Sequence, residues 1–305
     1  MPTHINSQTA KKGKMALLLG AGYVGRHLAP ALTAKGYHVI GTTRSPEDAE
    51  TLETLGILPL VTEDLSQTRL KEVFQRADVI ISSIPPKKSP DENGYHDPVL
   101  SALNSSRITA RWVGYLSATS VYGDRDGQWV FEGESPTPQL KRGMARAEAE
   151  IEWIETLWPV HIFRLAGIYG PGRSPFEKLR QGKARAVIKD GHIVNRIHVD
   201  DIVSPVMASI NAPNPQRVYN LADGHPAPPQ DVLDFAAKLI NVETPPRVGL
   251  DDESVSKMAR SFYRETKRVD NGRARRELDW TPKHNDYKTG LKATLKSEMG
   301  SAPPD

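Results

Sequence analysis

A chain of 305 residues, 38% hydrophobic and 25% charged, is long enough for one large core with a smaller partner unit. Forty basic against thirty-seven acidic residues leave a formal charge of +3, too slight to argue for nucleic acid. The absence of cysteine excludes disulfides, thiolate nucleophiles and zinc–thiolate sites. Nine histidines fall without an H-E-x-x-H pattern or a similar pair, so no metal is expected. The opening residues lack the apolar stretch of a signal peptide, and no apolar run approaches a membrane span. A cytoplasmic protein with no membrane partner is the expectation.

Residues 1–13 are polar and read as a loose tail. From Lys14 onward apolar runs alternate with helical patterns, which predicts a parallel sheet covered on both faces. The first run stops at Gly20, and Gly20, Gly22 and Gly25 give the spacing G-x-G-x-x-G. An amphipathic pattern follows and ends at Gly36. Gly20 permits a tight turn, Gly22 lets the backbone approach a pyrophosphate, and Gly25 lets helix and strand pack closely. The amides of the first helical turn, those of Tyr23 and Val24 included, then face the phosphates at the positive end of the helix. Strand, glycine turn and helix in that order predict a bound dinucleotide.

The second strand, residues 37–44, decides which one. An acid at its end accepts from a ribose 2′-hydroxyl, whereas an arginine accommodates a 2′-phosphate. Thr43, Arg44 and Ser45 stand there, with no carboxylate until Glu47 and Asp48 begin the next helix. Two hydroxyls and a guanidinium suit a phosphate, so NADP is favoured over NAD. A third strand, 57–61, leads to Asp64 and Leu65; Asp64 either accepts from the adenine amino group or caps the next helix. A fourth, 77–84, brings Ser82, Ser83 and Ile84 to the carboxyl edge of the sheet, where ligands of such folds lie. The fifth, 112–117, runs into Ala118-Thr119-Ser120-Val121-Tyr122-Gly123; residues 142–158 read as a helix and 160–165 as a sixth strand. Beyond Gly170 the pattern is less regular. A dinucleotide-binding domain over 14–170 and a smaller substrate-binding part over 171–305 are expected, with about 196–222 returning to the sheet.

Several of these segments resemble the extended and atypical short-chain dehydrogenase/reductases, the NAD-dependent epimerase/dehydratase superfamily. They are Gly20–Gly25, Asp64–Leu65, Leu116–Asp124, Arg164–Gly172, Ile197–Asp201 and Arg268–Pro282. The resemblance implies an α/β fold, a Rossmann-type doubly wound parallel sheet with a smaller C-terminal substrate-binding subdomain. It also implies a small-molecule substrate and allows a homodimer. Family members hold a serine or threonine, a tyrosine and a lysine, the last two spaced Y-x-x-x-K. Here the hydroxyl position, four before Tyr122, is Ala118, with Ser117, Thr119 and Ser120 around it. Arg142 takes the tyrosine's place, Arg146 the lysine's, and Glu150 matches an acid often found four residues later. Arginine stays protonated and cannot shuttle a proton at neutral pH. The resemblance therefore points to a divergent member without the usual set.

Thr119, Ser120, Tyr122 and Arg146 remain as candidate catalytic residues, and Ser117 and Arg146 as cofactor contacts. Gly167 and Val194 stand where sugar-nucleotide members often have an asparagine and a basic residue, which weakens the case for a nucleotide-sugar substrate. Tyr95 and His96 belong to a segment that overhangs the pocket in this fold. His198, Asp200 and Asp201 read as structural, one aspartate capping the helix over 202–210. The basic stretch from Arg173 to Lys189 is either a solvated face or a reach towards the distal part of the substrate. An NADP-binding oxidoreductase or epimerase/dehydratase-like protein is expected, acting on a small carbonyl, hydroxyl or sugar-type substrate with a non-standard proton relay. The alternative is a catalytically silent NADP-binding sensor or complex subunit.

Overall fold

In the computed structural model, which describes residues 13–89 and 94–300, the first half of the chain runs β1 (Lys14–Leu19), α1 (Tyr23–Ala34), β2 (Tyr37–Thr43) and α2 (Pro46–Thr54). It continues through β3 (Leu58–Val61), α3 (Thr68–Arg76), β4 (Val79–Ser82), α4 (Pro98–Leu103), β5 (Trp112–Ala118) and α5 (Lys141–Glu155). After β6 (Val160–Leu165) come β7 (Gly167–Tyr169), α6 (Phe176–Arg180), β8 (Arg196–His198), α7 (Asp200–Asn211) and β9 (Val218–Leu221). The chain closes with α8 (Pro229–Leu239), α9 (Lys257–Phe262), α10 (Gly272–Glu277) and α11 (Tyr287–Gly300). The tail read over 1–13 lies, apart from Gly13, outside the described residues.

Ala16 to Leu19 are all buried, a run that only a strand covered on both faces accommodates. Leu17 and Leu19 face a core shared with Leu70 and Phe74 of α3, Leu100 of α4 and Trp153 of α5. Ala16 and Leu18 face the other way, onto Leu28 and Leu32 of α1 and Ile202 and Val206 of α7. The period of two along the strand thus divides one apolar run between two cores. Seven strands join in the order β9-β6-β5-β4-β1-β2-β3, each pair parallel. This is the doubly wound parallel sheet expected from the alternation of strands and helices. β9 returns from the second half of the chain to the sheet edge beside β6.

A third core, built from Tyr169, Phe176, Leu179, Val232, Ala236 and Leu291, holds α6, α8 and α11 together against the short β7–β8 pair. Among the described residues no helix is long and apolar enough to cross a membrane.

One buried ion pair ties α5 to the sheet. Arg164 of β6 donates to Glu150 through Nε (3.1 Å to each oxygen) and Nη2 (2.7 Å), with side-chain exposures of 5% and 4%. Burial opposes the charge on Arg164, but its bonds to Glu150 and Tyr122 more than compensate and hold its pKa above the ordinary value. Removing one partner leaves the other charge buried alone. Glu150→Gln is expected to lower unfolding free energy by about 3 kcal/mol, read from urea denaturation; a loss below about 1 kcal/mol, the range of a surface pair, would contradict this account.

Candidate functional site

The turn after β1 is held from both sides. Thr42 Oγ1 accepts from the Gly20 N–H at 2.8 Å, and Ser83 Oγ donates to the Gly20 carbonyl at 2.6 Å. Gly20 has φ +78°, and a Cβ there would lie 3.0 Å from Ile84 Cγ1 and 3.1 Å from Ser83 Oγ. Gly22 is different: a Cβ would meet nothing nearer than the Gly20 carbonyl at 4.0 Å. The fold itself therefore does not need glycine at 22, and the space above it is free for a ligand. At Gly25 a Cβ would touch Leu18 Cδ1 at 3.6 Å, contact without a clash. Gly22 caps α1 with no side-chain hydrogen bond and no acid in the first turn, so the positive helix end is left for an anion.

Beside this turn opens a cavity of about 670 Å³. Of the residues singled out in the sequence, Gly20, Gly22, Thr43, Arg44, Ser45, Asp64, Leu65, Ser83 and Ile84 line it. Others do not. Tyr23 turns its hydroxyl away to the Pro171 carbonyl at 3.0 Å, Val24 is in the core, and Ser82 is fully buried beneath the edge with its hydroxyl unpartnered. The cavity also takes in Arg26, Asp48, Thr62, Glu63, Lys87 and His96. Arg26 Nη2 bonds Asp48 Oδ1 at 2.5 Å, so a second guanidinium and an acid share the end where Arg44 stands. Arg26 sits directly after the third glycine, the one sequence signal that marked it. Ser45 Oγ caps α2 by accepting from the Asp48 N–H at 3.3 Å. Asp64 does not cap α3, whose N-cap is Gln67. Its carboxylate instead accepts from the N–H and hydroxyl of Ser66, which hold its pKa below the ordinary value, and it remains exposed to the cavity.

At the end of β5 the hydroxyls divide into committed and uncommitted ones. Ser117 Oγ donates to Glu150 at 2.6 Å. Tyr122 is 0% exposed; its hydroxyl donates to Asn220 Oδ1 at 2.8 Å and accepts from Arg164 Nη1 at 2.9 Å. Burial pushes its pKa up. A phenol so placed does not reach the cavity, which corrects the expectation that Tyr122 serves there as an acid. The 3₁₀ turn over Thr119–Tyr122 rotates it inward. Thr119 and Ser120 are half-buried, with no side-chain partner among the described residues; like Ser117 and Arg146, they are not among the residues that line the cavity. Arg146 Nη1 is spent on the Tyr115 hydroxyl at 2.9 Å and the Leu116 carbonyl at 3.1 Å. Arg142 donates to Ser261 Oγ at 2.7 Å and lies 4.1 Å from the centre of the Phe262 ring, joining α5 to the end of α9. The spacing Y-x-x-x-K does occur once in the chain, at Tyr263 and Lys267, outside any helix. The Tyr263 ring packs at a tilt against His192, with centroids 4.6 Å apart, and Lys267 is buried against the Gly123 carbonyl.

His198, Asp200 and Asp201 form a structural clasp, though not by helix capping. The N-cap of α7 is Val199, without a side-chain bond. Asp201 accepts instead from the backbone N–H groups of Lys283 (2.6 Å) and His284 (2.9 Å), fastening the chain before α11 to the start of α7. Donor atoms of His198, Asp200 and His284 lie within 4.8 Å of one another. The Nδ1 lone pair of His198 is already engaged by the Asp200 N–H at 3.2 Å.

Residues 16–222 match the model of the NAD dependent epimerase/dehydratase family. The chain is 30% identical over 224 residues to Protein YeeZ of Escherichia coli K12, covering 70% of this chain and 80% of that one. It is 25% identical over 228 residues, 68% and 67% of the two chains, to a 4-hydroxy-2-methyl-3-oxo-4-farnesyl-3,4-dihydroquinoline-1-oxide ketoreductase of Stigmatella aurantiaca. A structure of a functionally unknown conserved protein from Silicibacter pomeroyi superposes with TM-score 0.83 at 41% identity, over 93% of this chain and 99% of that one. UDP-glucuronic acid 4-epimerase of Bacillus cereus, in complex with NAD, shares the fold at TM-score 0.73 and 20% identity, over 94% and 99%.

The contrast between two glycines gives a direct test. Gly22→Ala is expected to leave thermal stability unchanged while weakening dinucleotide binding by about tenfold or more, roughly 1.4 kcal/mol, in calorimetric titration. Gly20→Ala should instead destabilise the fold by about 1–2 kcal/mol, because alanine resists the left-handed region. Equal affinity in the Gly22→Ala protein would remove the phosphate from that position.

Proposed function

The chain belongs to the NAD dependent epimerase/dehydratase family, and we propose that it is an NADP-binding oxidoreductase or epimerase acting on a small carbonyl, hydroxyl or sugar-type substrate. The observation that carries this reading is the cavity of about 670 Å³ along the glycine turn, with Arg44 and His96 among its lining residues. Its residues fit a dinucleotide: open space over Gly22, an uncapped helix end for the diphosphate, and Thr43, Arg44 and Ser45 for a 2′-phosphate.

Nicotinamide, when bound, supplies hydride chemistry; the chain's own part is to bind, orient and manage the proton. With Ser117 and Tyr122 committed to the Glu150–Arg164 pair, Thr119 and Ser120 are the hydroxyls left to polarise a substrate oxygen. Arg146, fixed by Tyr115 and Leu116, would place positive charge beside the ribose. A second reading has its own support. Arg142 stands where the family resemblance places the tyrosine, and it is spent on Ser261 and Phe262, which favours a silent NADP-binding protein.

Two measurements decide these points. Thr43→Asp combined with Arg44→Ala should weaken NADPH at least about tenfold more than NADH, about 1.4 kcal/mol of discrimination; equal losses would remove the NADP preference. Incubation with NADPH and a panel of aldehydes, ketones and nucleotide sugars should show oxidation at 340 nm that falls about a hundredfold, within the range for one general acid–base group, in Thr119→Val with Ser120→Ala. Tight NADPH binding with no oxidation by any substrate would sink the enzyme reading in favour of the silent one.

A further inference from the structure

Arg196 of β8 is in register with Gly167 of β7, so its side chain shares the sheet face of Gly167, the exposed residue that follows Arg164-Leu165-Ala166. It also shares that face with Val194, two residues earlier along the strand direction. Its Nη1 donates to the carbonyls of Val194 (3.0 Å) and Ala227 (3.1 Å). Two buried polar side chains lie close by without bonding it: Asp223, whose N–H donates to the Arg196 carbonyl at 2.7 Å, and His192, two residues before the Val194 whose carbonyl Arg196 holds. His192 is 2% exposed, packs against the Tyr263 ring at a tilt, and has no partner at either ring nitrogen. Asp223 is also 2% exposed; Oδ1 accepts from the His225 N–H at 2.9 Å, whereas Oδ2 has no partner.

Unpaired polar groups in an interior oppose folding, and a chain keeps few of them without use. The charge around His192 is mainly positive: Lys189, Arg196 and Lys267 against Asp124. Asp124 is itself held by the Thr266 N–H at 2.7 Å, and Lys267 by Glu265 at 3.0 Å.

We propose that His192, Arg196 and Asp223 anchor a small hydroxylated carboxylate, its acid group on Arg196 and His192 and a hydroxyl donating to Asp223 Oδ2. This rests on the proposed function, with the segment around Gly167 read as the substrate side. Guanidinium N–H groups match a carboxylate in a fork, imidazole adds one donor and one acceptor, and a carboxylate oxygen inside the fold needs a donor. An apolar ketone satisfies none of the three. A diphosphate would place its charge against Asp223.

The test uses the full chain loaded with NADPH, with gluconate, glycerate and tartrate as probes and sorbitol and glycerol as uncharged counterparts. The hydroxy acids should raise the melting temperature, the neutral polyols should not, and Arg196→Met should remove the shift while NADPH affinity stays unchanged. Without any probe, His192→Phe keeps the ring contact with Tyr263 and loses both unpaired nitrogens; it should melt roughly 2–4 °C above the parent. Burial pushes the Asp223 carboxyl up to about 7, against the opposing pull of Arg196 and His225 and with Asp286 also facing it. The folded state then keeps a proton that the unfolded chain has lost, so this group's contribution falls as pH rises from about 4 to about 7. Asp223→Asn should flatten that fall and melt above the parent at pH 8. The proposal is overturned if both His192→Phe and Asp223→Asn melt below the parent at pH 8. It is equally overturned if none of the three hydroxy acids shifts the parent while NADPH still binds. Failure of NADPH to bind the parent would overturn the dinucleotide reading itself, and this inference with it.

Discussion

Where α5 crosses behind β5 and β6, a guanidinium and a carboxylate meet out of water. Desolvating both ions costs several kcal/mol each, so the pair holds only because its geometry is complete. Arg164 meets Glu150 through Nε and Nη2, and its remaining reach goes to the Tyr122 hydroxyl at 2.9 Å. Glu150 takes a further bond from Ser117, and Tyr122 passes the network on to Asn220 of β9. Asn220 in turn donates to the Asp270 carbonyl at 3.0 Å. One ion pair therefore fixes α5, two neighbouring strands, the returning strand and the segment before α10. It also decides which hydroxyls remain for chemistry. Those inside the network are structural; Thr119 and Ser120, just outside it, are not consumed.

Much of this was legible in the residues because it is local. Ala16–Leu19 alternates between two cores, the glycine spacing follows directly, and the strands after it recur at intervals a helix can bridge. Such patterns are set by neighbours within one or two turns of chain. The features that escaped are of another kind. Arg26 with Asp48, Arg142 with Ser261 and His192 with Tyr263 join residues 22, 119 and 71 positions apart, and no local period announces them. A V-Y-G stretch at a strand end does not say which way the ring of Tyr122 turns. The 3₁₀ turn and the pull of Arg164 and Asn220 settle it inward. Asp64 was ambiguous between ligand contact and cap for a related reason. A nearby serine two residues on, not the helix, captured its carboxylate.

The two ends of the site differ in how far they are prepared. On the dinucleotide side the cradle stands formed: Thr42 and Ser83 hold the glycine turn, and the helix end carries no side-chain cap to be displaced. A ligand entering a preformed cradle has little ordering to offset, which favours affinity. On the other side, Arg142 fastens the end of α9 to α5 through Ser261 and the Phe262 ring. Two hydrogen bonds and a half-exposed cation–π contact amount to about 1–3 kcal/mol, small beside the free energy of binding a micromolar ligand, about 8 kcal/mol. The fastening is therefore a modest addition to the cores and the buried network that already hold these elements together. Arg142 then has a physical use that does not involve a proton: it fastens the end of α9 to α5.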